Sequence, residues 1–214
     1  MRIAILFFLI LLIGGCKNSK TEAINDYQNF KDHIPSDSSY QYFPFDSAFL
    51  ISNDREVDSS IKQLYSEILF HLKEPSLHND NNNSEMKGIR VLWLNARRPP
   101  MVIRMNDIGN SKYLIRKEFD STYNGKTGGI IDTLIDIDKN YWEAVSSSLD
   151  SSNFWKEKIG NPTASGKDGI LWVLECRLKG QYYFIERWDD GTLSSILPYP
   201  FLNRILKTAN VLEQ

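Results

Sequence analysis

The sequence predicts an α+β domain: a mainly antiparallel sheet with about three helices packed on one face. Three observations carry this. Strand-type segments come grouped as hairpins between helices, instead of alternating with helices one by one. Residues 54–72 and 198–212 repeat apolar side chains at helical spacing. Lys179-Gly180 lies between two β-prone runs, where a two-residue turn joins antiparallel strands.

The chain begins Met1-Arg2, continues as an apolar run over residues 3–13, and reaches Gly14-Gly15-Cys16. A spanning helix needs about 20 apolar residues, and Lys17-Asn18-Ser19-Lys20 ends this run too early. A basic start, a short apolar stretch and small residues before Cys16 resemble a bacterial lipoprotein signal peptide ending in a lipobox. The resemblance implies removal of residues 1–15, a diacylglycerol thioether on the Cys16 sulfur, and acylation of its amino group. Two or three chains anchor stably where one does not. An ordinary secretory signal cleaved after Gly15, or an uncleaved anchor, would leave Cys16 unmodified. The expected location is the cell envelope, with the bilayer as a partner through acylated Cys16. Lys17, where an Asp would favour the inner membrane, points to the outer membrane, facing periplasm or surface.

Without residues 1–15 and their one charge, Arg2, the 25 basic and 27 acidic side chains become 24 and 27, a net charge of −3. No basic surplus exists to bind phosphate backbones, which argues against nucleic acid, or to grip an anionic bilayer. Cys176, with Cys16 consumed by lipid, has no disulfide partner. It lies in the apolar run 170–178, away in sequence from His33, His71 and His78, and is expected to be an inert core thiol. The polar loop Asn79-Asp80-Asn81-Asn82-Asn83 lacks the alternating acids, glycine and closing glutamate of a calcium loop. Gly125-Lys126-Thr127 lacks the upstream glycine of a phosphate-binding loop, since position 120 is Asp120. No metal or cofactor is expected.

Taken in order, residues 16–39 read as the lipidated Cys and a flexible tether, and residues 40–214 as a single α+β domain. An aromatic-rich stretch, 40–52, is expected to hold one strand. The clearest helix follows over 54–72, with Val57, Ile61, Leu64, Tyr65, Ile68, Leu69 and Leu72 as its apolar stripe. Residues 88–95, 101–105, 112–119 and 130–137 are β-prone. Arg97-Arg98-Pro99-Pro100 is expected to turn, because paired prolines do not continue a ladder. Asp138 is an N-cap for a helix over 139–149, with Trp142, Val145 and Leu149 on one side. The hairpin 170–178 and 181–188 comes next, and a helix over 198–212 closes the chain.

The hairpin carries most of the functional information. With Lys179-Gly180 as the turn, Trp172 faces Arg187, Leu174 faces Ile185 and Cys176 faces Tyr183. Those pairs make the core face, where Arg187 beside the Trp172 indole gains about 0.5–2 kcal/mol of cation–π attraction. Glu175 and Glu186 fall on the other face. A functional interpretation makes Asp168, Trp172, Glu175 and Arg187 the lining of a binding site. The structural interpretation packs Arg187 on Trp172 and pairs it with an acid such as Asp168. Carboxylate pairs such as Asp132 with Asp136, or Glu186 with Asp189, are too common on wet strand faces to select one.

The run Asp168-Gly169-x-x-Trp172-x-x-Glu175, followed by Gly180-x-Tyr182 and Arg187-Trp188, with Phe154-Trp155 upstream, resembles a family of uncharacterised bacterial exported proteins and lipoproteins. Tyr183 stands where that pattern often has His, and Asp189-Asp190-Gly191 where Pro often follows. The resemblance implies an exported α+β domain and no activity. The expected function is binding, of an envelope protein or a small ligand; Tyr40, Tyr42, Phe43 and Phe45 are either a surface patch for it or part of the core. A hydrolase of envelope material using Glu175 or Asp168, or an immunity or inhibitor-type protein, are the alternatives.

Overall fold

Six antiparallel strands form one sheet: β1 (Lys87–Asn95), β2 (Arg98–Ile108), β3 (Ser111–Phe119), β4 (Ile130–Asp136), β5 (Ile170–Leu178) and β6 (Gln181–Asp189). Their spatial order is β4-β3-β2-β1-β5-β6. The structure is a computed structural model and describes residues 34–37, 39–78, 87–108, 111–120, 128–160 and 168–212. The lipobox, most of the tether, and the loops at 79–83 and 125–127 lie outside the described residues. Among the described residues three α-helices accompany the sheet: α1 (Arg55–His71), α2 (Lys139–Ser151) and α3 (Pro200–Thr208). No helix among the described residues is long and apolar enough to cross a membrane.

The meander β1 to β4 pairs strands consecutive in sequence, and the β5–β6 hairpin then joins the free edge of β1. Lys179 and Gly180 both take left-handed backbone angles, φ 53° and 76°, the geometry that matches a two-residue turn to strand twist. The resulting register sets Trp172 against Arg187, Leu174 against Ile185 and Cys176 against Tyr183, as the turn predicts.

The fold class, the antiparallel sheet and the three helices agree with the sequence; the placement of the helices does not. α2 and α3 cover one face, where Trp142, Val145 and Leu149, with Phe201, Leu202 and Ile205, pack on Val91, Ile103, Trp172 and Leu174. α1 lies on the opposite face, where Tyr65 and Leu69 join Leu92, Val102, Val173 and Phe184. The central strands are apolar on both parities, and such strands require cover on both faces.

Three local expectations are also corrected. Residues 40–52 form no strand: Tyr42 and Phe43 are core residues, and the chain turns through a short 3-10 helix, Ser47–Phe49, capped by Asp46. The turn before β2 comes earlier than expected. Pro99 and Pro100 lie within β2, at a register shift between Asn95↔Arg98 and Trp93↔Met101, a place where the missing N–H groups break no ladder. α3 stops at Thr208, short of Leu212, because Asn210 adopts φ 55°. The N–H groups of Asn210 and Val211 then close on the carbonyls of Lys207 and Leu206.

Candidate functional site

The four residues singled out in the hairpin do not converge. Trp172 is fully buried and donates its Nε1–H to Ser195 Oγ at 2.8 Å. Arg187 fastens a neighbouring segment: Nη1 donates to the Lys158 and Ile159 carbonyls at 2.9 and 3.1 Å, and Nη2 to the Glu157 carboxylate at 2.9 Å. Its acid is therefore Glu157, and not Asp168. Asp168 is exposed ahead of β5, in a shallow cleft of about 260 Å³ shared with Arg97 and Asp190. Glu175 points to the opposite face of the sheet and is buried there.

Glu175 belongs to a charge network under α1. Arg90 on β1 holds Glu175 Oε2 through Nε and Nη2, both at 2.6 Å. Tyr182 donates to Glu175 Oε1 at 2.9 Å. Glu74 receives Arg104 Nε at 2.6 Å and Lys117 Nζ at 2.9 Å. These five charged side chains are at most 3% exposed. The cap of α1 aims Glu74: Lys73 turns to φ 53°, the Glu74 N–H closes on the Leu69 carbonyl, and the chain dives toward the sheet. Burial opposes ionisation of Glu74, but Arg104, Lys117 and Arg90 outweigh it and hold the carboxyl down at about 2. Burial pushes Glu175 upward against the pull of Arg90. Residues so enclosed hold the fold together; an external molecule does not reach them.

The site a molecule can reach lies beside α1. The helix buries only the Tyr65, Leu69 and Leu72 side of its predicted stripe. It turns Asp58, Lys62, Tyr65, Ser66 and Leu69 inward and leaves Val57 and Leu64 46% and 52% exposed, with Ile61 and Ile68 half-buried. The cause is the segment 40–52, which lies against α1 without a strand partner, so its N–H groups need acceptors. Ser66 Oγ accepts from the Tyr42 N–H at 3.2 Å and Asp58 from the Ile51 N–H at 2.7 Å. Lys62 neutralises Asp58 at 2.8 Å. With polar groups occupying the inner face, the apolar ones move to the flank.

The Val57 and Ile61 end of that flank walls an open groove of about 760 Å³, a volume in the range of ligand sites. Leu50, Ile51, Val57, Ile61 and Ile159 supply apolar surface, and Asp54, Lys158, Tyr183 and Glu186 line it as well. Gly160 lets the far wall close, because a Cβ there would collide with the Ile51 carbonyl. The Glu186 N–H donates to the Ile159 carbonyl at 2.7 Å, tying that wall to β6. Glu186 Oε2 accepts the Tyr65 hydroxyl at 2.5 Å. Burial pushes the Glu186 carboxyl up, against the hydrogen bond from Tyr65 and the charge of Arg187.

The groove offers one buried acid. The other acid in its lining, Asp54, accepts from the Glu56 and Val57 N–H groups as the cap of α1. Acid–base hydrolysis with two carboxylates needs a second uncommitted group; a groove with one half-buried carboxyl and apolar walls is suited to holding a ligand. A second cleft, of about 600 Å³ on the α2/α3 side, is lined by Trp93, Arg97 and Arg116, but Arg116 is taken by Glu118 at 2.9 Å. Cys176 is buried, and burial pushes its thiol up. Of the expected aromatic patch, Tyr42 and Phe43 are core, and Phe45 is exposed. Asp189 accepts from the N–H groups of Gly191, Leu193 and Ser195, and so shapes a loop instead of pairing with Glu186. Sequence reasoning placed Glu186 among many wet-face carboxylates; only the neighbouring Tyr65, 121 residues away, distinguishes it. The chain matches no protein-family model and no curated protein.

Proposed function

We propose that this protein is a lipid-anchored envelope protein whose domain works by binding, with the groove beside α1 as its site. One observation carries the binding half: an apolar helix flank left outside, walling a groove that holds the half-buried Glu186. The lipobox ending at Cys16 motivates the anchor. Binding is favoured over hydrolysis because the second acid in the groove lining caps α1. An immunity or inhibitor-type protein is the special case in which the bound partner is a protein.

Two experiments test this. Replacing Cys16 with Ala should release the protein from membranes; continued sedimentation through a carbonate wash would contradict the anchor. For binding, a photo-crosslinking residue at position 57 or 61, both in the groove wall, should give a discrete adduct in intact envelopes. The same residue at Leu197, exposed on another part of the domain, should not. Equal adducts from all three positions, or none from 57 and 61, would contradict the groove.

A further inference from the structure

We infer that the groove takes an extended apolar peptide segment carrying one lysine or arginine, whose cationic head pairs with Glu186. This rests on the binding function proposed above and names the ligand. Three features of the site lead to it.

The first is charge. Around the groove floor, Lys62 is neutralised by Asp58, and Arg187 is taken by Glu157 and two backbone carbonyls. Of the remaining cations in the lining, Lys158 is exposed. Among the described residues Glu186 has only a neutral phenol, Tyr65, as the hydrogen-bond donor to its carboxylate. A carboxylate has about four acceptor positions, so one phenol leaves room for a charged donor. A carboxylate held among apolar groups gains most from such a partner, because desolvation strengthens the pair. The half-buried carboxyl, already pushed up by burial, is in that condition.

The second is size. The groove holds about 760 Å³ and is walled by Leu50, Ile51, Val57, Ile61 and Ile159, room for several residues of chain. A simple ion would leave those apolar walls uncovered. The third is accessibility: Val57 in the groove wall is 46% exposed, so a chain laid along the groove would cover surface that is costly to leave in water.

The test titrates the full-length protein with an acetylated, amidated pentapeptide of four leucines and a central lysine. A twin carries Nε-acetyl-lysine at the centre, and a third peptide carries glutamate there. The lysine peptide should bind about tenfold more tightly than its acetylated twin, and the glutamate peptide should be weakest. Glu186→Gln should bring the lysine peptide to the level of the twin while leaving the twin unchanged. Val57→Lys, at an exposed position that tolerates substitution, should weaken all three. Equal binding of the lysine and acetyl peptides, or no effect of Glu186→Gln, overturns the cationic ligand while the binding function stands. Absence of binding by all three also overturns it, and the adducts from positions 57 and 61 then judge the binding function separately.

Discussion

The two faces of the sheet are held by different physics. Toward α2 and α3 the strands present Val91, Ile103, Trp172 and Leu174, and the contact is apolar packing. Toward α1 the apolar packing on Leu92, Val102, Val173 and Phe184 shares the face with Arg90, Arg104, Lys117 and Glu175, closed over by Glu74. Apolar packing depends on volume and tolerates repacking. A buried charge network depends on every partner being present, since removing one strands another in a low dielectric. The α1 side is thus fixed in one arrangement by directional contacts. Because those contacts and the segment 40–52 claim the inner face of α1 together with Tyr65 and Leu69, Val57 and Ile61 are left for the groove.

The largest effect expected is from Glu74→Gln, which leaves Arg104 and Lys117 without their shared carboxylate. A loss of about 3–5 kcal/mol in urea unfolding is predicted; a change below about 1 kcal/mol would show that the network is dispensable. Leu174→Ala, on the other face, should cost about 2–5 kcal/mol through its cavity. The comparison sharpens with acid. Glu74 titrates near 2 in the folded protein against an ordinary value of 4.5. Its stabilisation is present above the ordinary value and is lost as pH falls from about 4.5 toward 2. Glu175 and Glu186, pushed up by burial, act in the opposite sense and favour the fold as pH falls through their raised values. The difference in stability between the parent and Glu74→Gln should therefore shrink across pH 4.5 to 2, while the cost of Leu174→Ala should stay constant. Parallel pH profiles for both variants would break the distinction between the faces.

Arg187→Ala is expected to cost less, about 1–3 kcal/mol, since it unties residues 157–159 from β6 without opening the core. An unchanged melting midpoint would mean that the clamp carries no stability. The smallest effect is expected from Lys73→Gly. Relieving the left-handed Lys73 should stabilise by up to about 1 kcal/mol, and a loss would show that the Lys73 side chain matters more than its backbone.

What could be read from the sequence follows the range of the interactions. The β5–β6 hairpin was legible to the residue, because Lys179-Gly180 sets turn and register locally. The Asp138 cap was legible for the same reason. The charge network was not: Glu74 comes from a loop, Arg90, Arg104 and Lys117 from three strands, and each alone looks like a solvated charge. The direction in which α1 faces was not legible either. Its periodicity marks an apolar stripe, but Tyr42 and Ile51, which demand acceptors from Ser66 and Asp58, decide which side is buried. The groove and Glu186 follow from that inversion, so the sequence pointed to Asp168, Glu175 and Arg187 instead.

The orientation of α1 is the premise on which the groove depends, and thiol accessibility tests it directly. In a Cys16→Ala background, Leu64→Cys and Ser66→Cys would each be treated with maleimide under native conditions, with buried Cys176 as the internal control. Rapid labelling at position 64 and protection at position 66 are predicted. Protection at 64 with labelling at 66 would mean that α1 turns its Val57 and Leu64 side inward, and would remove the groove.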